Sequence, residues 1–225
     1  MDERDIENVL KRCESDIASG GQPDLRAIGF WRAVASVKRN RELVTRFADR
    51  IAKIDRAVFR KRVRLVFPAD LGIAIVVGGL IVDLLILALA AMVDHPWREV
   101  LLLVGAGGLD VVTHGLAHLV VGEIVGISFT DWFIDIPKRP QPGFKIDYAS
   151  YLRARPRQRA WMHAAGAIAT KLTPFIVIPY ALAIEAQTWT IVVLAVVGVL
   201  QIVSDVLLSV RSSDWKKFRR EMRLA

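Results

Sequence analysis

Four long apolar runs, separated by segments dense in charge, limit what this chain can become. They extend from about Ala69 to Val93, Val100 to Val121, Trp161 to Ile184 and Trp189 to Val210. A helix needs roughly 20 apolar residues to cross the hydrocarbon core of a bilayer, and each run reaches about that length. Inside hydrocarbon every backbone polar group must find a partner within the protein, so the runs predict helices. The chain is 53% apolar yet 24% charged, a combination that requires the two kinds of residue to be segregated. The pattern predicts an all-α integral membrane protein with four transmembrane helices.

Charge then orients the spans. The segment up to Phe67 carries sixteen Lys and Arg, the connection from Gly126 to Ala160 carries seven, and the tail beyond Val210 carries six. The two short turns, near Asp94–Trp97 and Glu185–Thr188, carry only Arg98. Excess Lys and Arg mark cytoplasmic loops, so both termini and the long connection are expected in the cytoplasm. The opening MDERDIENVL is acidic and polar, which predicts no cleavable leader. The single cysteine, Cys13, excludes an intramolecular disulfide and fits a reducing compartment. The net charge of +8 invites a nucleic-acid reading. The basic residues flank apolar spans, however, where they meet anionic lipid headgroups, and no nucleic-acid-binding motif accompanies them.

Three regions result: a basic cytosolic helical segment over 1–67, a membrane domain over 68–210 and a basic tail over 211–225. Within the first, Gly20-Gly21-Gln22-Pro23 is a break. After it Leu25, Ile28, Trp31 and Val34, then Leu43, Phe47, Ile51, Ile54 and Val58, recur at helical spacing. One or two amphipathic helices are expected, packed on the membrane domain or a partner, or lying on headgroups with Arg60, Lys61, Arg62 and Arg64. Between the second and third spans, Pro137, Pro140 and Pro142 oppose helix. SFTDWFIDI and GFKIDYASYL each suit a short strand, paired as a β-hairpin.

The ionisable residues within the spans carry the functional signal. With the termini inside, His114 and His118 fall in the cytosolic half of the second span. His163 and Asp205 lie near the same leaflet on the third and fourth. Asp110, His114 and His118 are spaced i, i+4, i+8 and share one helix face. Such groups inside a membrane turn toward the bundle interior and pair with one another or with a ligand. Two neutral imidazoles and a carboxylate suit zinc; mutual hydrogen bonding without metal is the alternative. Asp83 and Lys171, each mid-span, are expected to form an intramembrane ion pair or to line an ion path. Glu123 reads as a solvated helix end and His95 as an exposed turn residue. Small residues, Gly105–Gly108 and Ala164–Ala169, permit close helix approach.

His114-Gly115-Leu116-Ala117-His118 has the spacing of the zinc-protease motif H-E-x-x-H. With its position in an apolar span, it resembles the site-2-protease family of intramembrane zinc metalloproteases, over roughly Ala69 to Val210. The small-residue stretch Ala165–Ala169 looks like the family's middle core helix, and Asp205 matches its third metal ligand by helix order and depth. The resemblance implies a zinc ion on His114, His118 and Asp205; His163, which topology brings to the same depth, is left open as a ligand, an outer partner or a replacement acid-base. Gly115, however, stands where the family has its general base, and Asp110 is the nearest substitute on the same face. Three functions follow from the resemblance and the charges. The first is a pseudoprotease that binds a transmembrane client protein without cutting it. The second is an active metalloprotease with a displaced base, and the third is a non-enzymatic ion or metal carrier.

Overall fold

A computed structural model describes residues 1–135, 139–207 and 213–225. In chain order its elements are α1 (Glu3–Ala18), α2 (Phe30–Val37), α3 (Arg41–Arg62), β1 (Leu65–Pro68), α4 (Ala69–Ala90), α5 (Trp97–Ile124), β2 (Phe129–Asp135), β3 (Arg139–Ile146), α6 (Tyr148–Arg153), α7 (Pro156–Ala183), α8 (Thr188–Leu207) and α9 (Asp214–Met222). They form two compact units, one of residues 1–72 with 125–155, the other of residues 73–124 with 156–223.

The first unit combines helices with a small sheet. α1 begins in a capping box, in which Asp2 accepts from the Asp5 N–H and Asp5 accepts from that of Asp2. Ile6, Leu10 and Cys13, at i, i+4, i+7, place one apolar stripe of α1 in the core. Against it lie Phe30, Val34, Phe47 and Ile51, with Leu152 of α6. Gly29 enters α2 at φ 87°, a left-handed conformation that a side chain would strain. Trp31, expected on the apolar stripe, is exposed and rests edge-on to Phe30, which takes the core position. α1 lies ahead of the stretch whose periodicity announces helix.

The strands after the second span form the expected antiparallel pair, β2–β3, with Trp132 opposite Phe144 and Phe133 opposite Gly143. A third strand, β1, was not anticipated and pairs antiparallel with β2 from Leu65↔Ile134 to Pro68↔Asp131. The chain is therefore mainly helical with a three-stranded sheet, rather than all-α with a hairpin alone. Asp131 is fully buried on β2 yet accepts from Arg60 at 2.5 Å and lies 3.3 Å from Arg56, tying α3 to the sheet.

In the second unit, α4, α5, α7 and α8 are long and apolar enough to cross a membrane. They cover the four expected spans; the expected end of the fourth, at Val210, lies outside the described residues. Leu85, Val111, Ile176 and Leu200 point outward, as hydrocarbon allows. The interior is made by close approach: Gly105 meets Leu87, Gly108 meets Asp83 and Gly198 meets Phe175. α5 and α7 run antiparallel, since Thr113 reaches Thr173 at 3.1 Å while His118 reaches Met162. Residues 214–222, expected only as a basic tail, are the helix α9, which packs on α7 through Trp161 and Phe218, 5.5 Å between ring centroids.

Candidate metal centre

α5 carries His114 and His118 on one face, their rings 4.9 Å apart and nearly perpendicular. The helix period that makes i and i+4 neighbours places them there. Facing them is Asp214, the first residue of α9, whose preceding Ser213 caps the helix by accepting from the Lys216 N–H. The Asp214 Oδ2 lies 3.4 Å from His114 Nε2 and 3.2 Å from His118 Nε2. Its other oxygen accepts from Lys217 Nζ at 2.7 Å. One ligand atom from each of His114, His118 and Asp214 lies within 4.8 Å of the others.

The surroundings decide which protons the rings carry. His118 Nδ1 is 2.7 Å from the Met162 carbonyl oxygen, which can only accept, so Nδ1 bears the proton. His114 Nδ1 is 2.9 Å from Thr170 Oγ1. Thr170 donates its single hydroxyl proton to the Gly166 carbonyl at 2.9 Å, so it accepts from His114. In both rings Nε2 is therefore the nitrogen that faces Asp214. Burial pushes the Asp214 carboxyl up, but the two facing histidines and the Lys217 ammonium outweigh it and hold the group well below the usual carboxylate range. Two ring nitrogens and an oxyanion converge, an arrangement that cationic charge among them favours, either protons on the Nε2 atoms or a metal ion in their place.

Gly166 makes the approach of α7 to the site possible. A Cβ there would collide with His118 Nε2. The small-residue stretch on α7 is thus specific at this position. His118 is the more enclosed of the two imidazoles, its side chain 17% exposed, whereas that of His114 is 42% exposed and leaves one side of the cluster open.

The remaining expected site residues fall elsewhere. Asp205 does not join the histidines; it is ion-paired with Lys171 at 2.7 Å, between α7 and α8. The expected Asp83–Lys171 pair is therefore replaced, because Lys171 is on the face of α7 turned to α8, whereas Asp83 packs on Gly108 of α5. Asp110 accepts from Gln201 Nε2 at 2.6 Å and is held toward α8. His163 is buried on α7 beside Met162, outside the converging triad. His95 pairs with the buried Glu99 at 3.0 Å. Asp214 was missed because depth arguments reach only residues inside spans. Its one sequence signal is Ser213-Asp214 opening an amphipathic DWKKFRREM, a helix start with an acid at its first position.

No family model matches the chain, and neither a curated protein nor a solved structure does.

Proposed function

We propose that this chain is a multi-pass membrane protein that holds a divalent metal of the zinc class on His114, His118 and Asp214. In this reading the scaffold resembles that of site-2 proteases, without their proteolysis. The observation that carries the metal is the pair of Nε2 atoms aimed at one carboxylate, each ring fixed by an Nδ1–H bond to Met162 or Thr170. Metal-ligating histidines almost always donate the other ring N–H in this way, which sets tautomer and orientation. A fourth position on the His114 side suits the three-ligand pattern of zinc sites that keep one place open. When bound, the ion would supply a Lewis-acidic centre for a carbonyl, carboxylate or water.

What this chain's own residues add is binding more than turnover. Gly115 has no proton to give or take, and Asp110, the nearest substitute, is held by Gln201. A pseudoprotease that binds a transmembrane client without cutting it is the reading that fits both facts. The basic flanks support cytoplasmic termini and contact with anionic headgroups. The test uses full-length protein and a helix-destabilised membrane substrate. Wild type is expected to retain about one zinc per chain and leave the substrate intact, with Gly115→Glu raising cleavage. Cleavage by wild type that is abolished in His118→Ala would overturn the pseudoprotease reading.

One observation favours an ion carrier as the second reading. Asp83 Oδ2, Asp110 Oδ1 and Gln201 Oε1 are buried within the helix bundle without hydrogen-bond partners among the described residues. Such acceptors line ion paths. Cation flux into liposomes that is lost in Asp83→Asn would support it; equal fluxes would remove it.

A further inference from the structure

We infer that the metal ion acts as a latch for the C-terminal helix: binding at His114 and His118 docks α9, and loss of the ion releases it. This rests on the metal reading above and concerns the regulation of that same site.

Two of the three ligands are on α5, inside the membrane bundle, and the third is on a separate nine-residue helix. A helix that short is marginal in water without tertiary contacts. Three contacts of α9 are spaced along one face. Asp214 faces the histidines, Phe218 packs on Trp161, and Glu221 accepts from Arg159 at 2.7 Å with both groups buried. The opposite face carries Lys216, Arg219 and Arg220, all exposed.

The contact at Asp214 depends on charge. Without an ion, its carboxylate is joined to α5 by long contacts, 3.4 Å to His114 Nε2 and 3.2 Å to His118 Nε2, while its closer partner Lys217 belongs to the same helix and does nothing to dock it. With an ion, the same three atoms attract a common centre. Metal binding therefore favours the docked helix. By thermodynamic reciprocity, docking strengthens metal binding by the same factor. The Arg159–Glu221 and Trp161–Phe218 contacts thus become determinants of metal affinity although neither touches the site.

The experiment uses the full chain in lipid nanodiscs, with zinc or a chelator. Trypsin cleavage at Lys216, Lys217, Arg219 and Arg220 is followed alongside zinc content and affinity. Zinc is expected to slow cleavage of the tail by about 5- to 150-fold, the usual range for such coupling. Asp214→Asn should abolish that protection. Phe218→Ala and Glu221→Gln should weaken zinc binding by the factor with which they loosen the tail. A deletion of residues 214–225 removes the Asp214 ligand together with the helix and provides the limiting case. Tight zinc binding with identical cleavage in zinc and chelator would overturn the latch and leave the metal site standing. Zinc affinity unchanged by the deletion would overturn the latch together with the place of Asp214 among the ligands. Absence of zinc binding in every variant, wild type included, would overturn the metal reading itself and the latch with it.

Discussion

The Met162 carbonyl oxygen lies 2.7 Å from Nδ1 of His118, and that contact determines which ring nitrogen faces Asp214. The contact exists because α7 approaches α5 at Gly166, where no side chain intervenes. Gly166→Ala is therefore expected to push the His118 ring aside while leaving α7 helical, since alanine favours helix. Zinc affinity should fall by about 10- to 100-fold, as when an outer support of a ligand is lost. Isothermal titration with zinc measures it, and an unchanged affinity would show that the ring does not depend on this approach.

Thr170→Val removes the hydroxyl that accepts from His114 Nδ1–H, at nearly constant volume. The imidazole loses its fixed tautomer, and affinity should again drop about 10-fold or more. Thr170→Ser, which keeps the hydroxyl, should restore most of it. Equal losses in both variants would argue against a tautomer effect.

The chain displayed part of this site and concealed the rest. His114 and His118 were legible because i, i+4 spacing inside an apolar run is a local signal. The fourth span, by the same local logic, offered Asp205 at the right depth. Depth, however, does not specify which way a side chain faces, and Lys171 takes Asp205. Asp214 reaches the histidines from a separate helix, an arrangement that no periodicity records. The sheet divides in the same way. β2 and β3 were visible as a hairpin beside prolines, whereas β1 is four residues between a basic run and a span, and its partner lies some 65 positions away. Long-range pairing of that kind joined the connection after the second span to the N-terminal helices.

Asp131 gives a pH-dependent prediction for that unit. Burial raises its carboxyl, but Thr130 and the guanidinium groups of Arg60 and Arg56 outweigh this and keep it below the usual carboxylate range. An acid whose folded value is depressed stabilises the fold above its unfolded value, about 3.9, and that contribution fades as pH falls through the folded value. Asp131→Asn should therefore cost about 1–3 kcal/mol near neutrality, the buried-pair penalty reduced because both arginines reach solvent. The gap between variant and wild type should narrow below about pH 4. Hydrogen exchange in α3 and β2 across pH reads both quantities, and a pH-independent gap would contradict the ion-pair account.

Asp205→Asn separates structure from site. It leaves Lys171 without its carboxylate in the bundle, with an expected loss of about 1–3 kcal/mol given their partial exposure. Thermal unfolding in detergent should register that loss while zinc stoichiometry stays the same.

The most direct measurement is metal content and X-ray absorption of the purified full-length protein loaded with zinc, beside Asp214→Asn and Asp205→Asn. About one zinc per chain is expected, with two imidazole nitrogens and a carboxylate oxygen at about 2.0–2.2 Å, lost in Asp214→Asn and kept in Asp205→Asn. Absence of bound zinc in wild type, or its loss in Asp205→Asn with retention in Asp214→Asn, would contradict it.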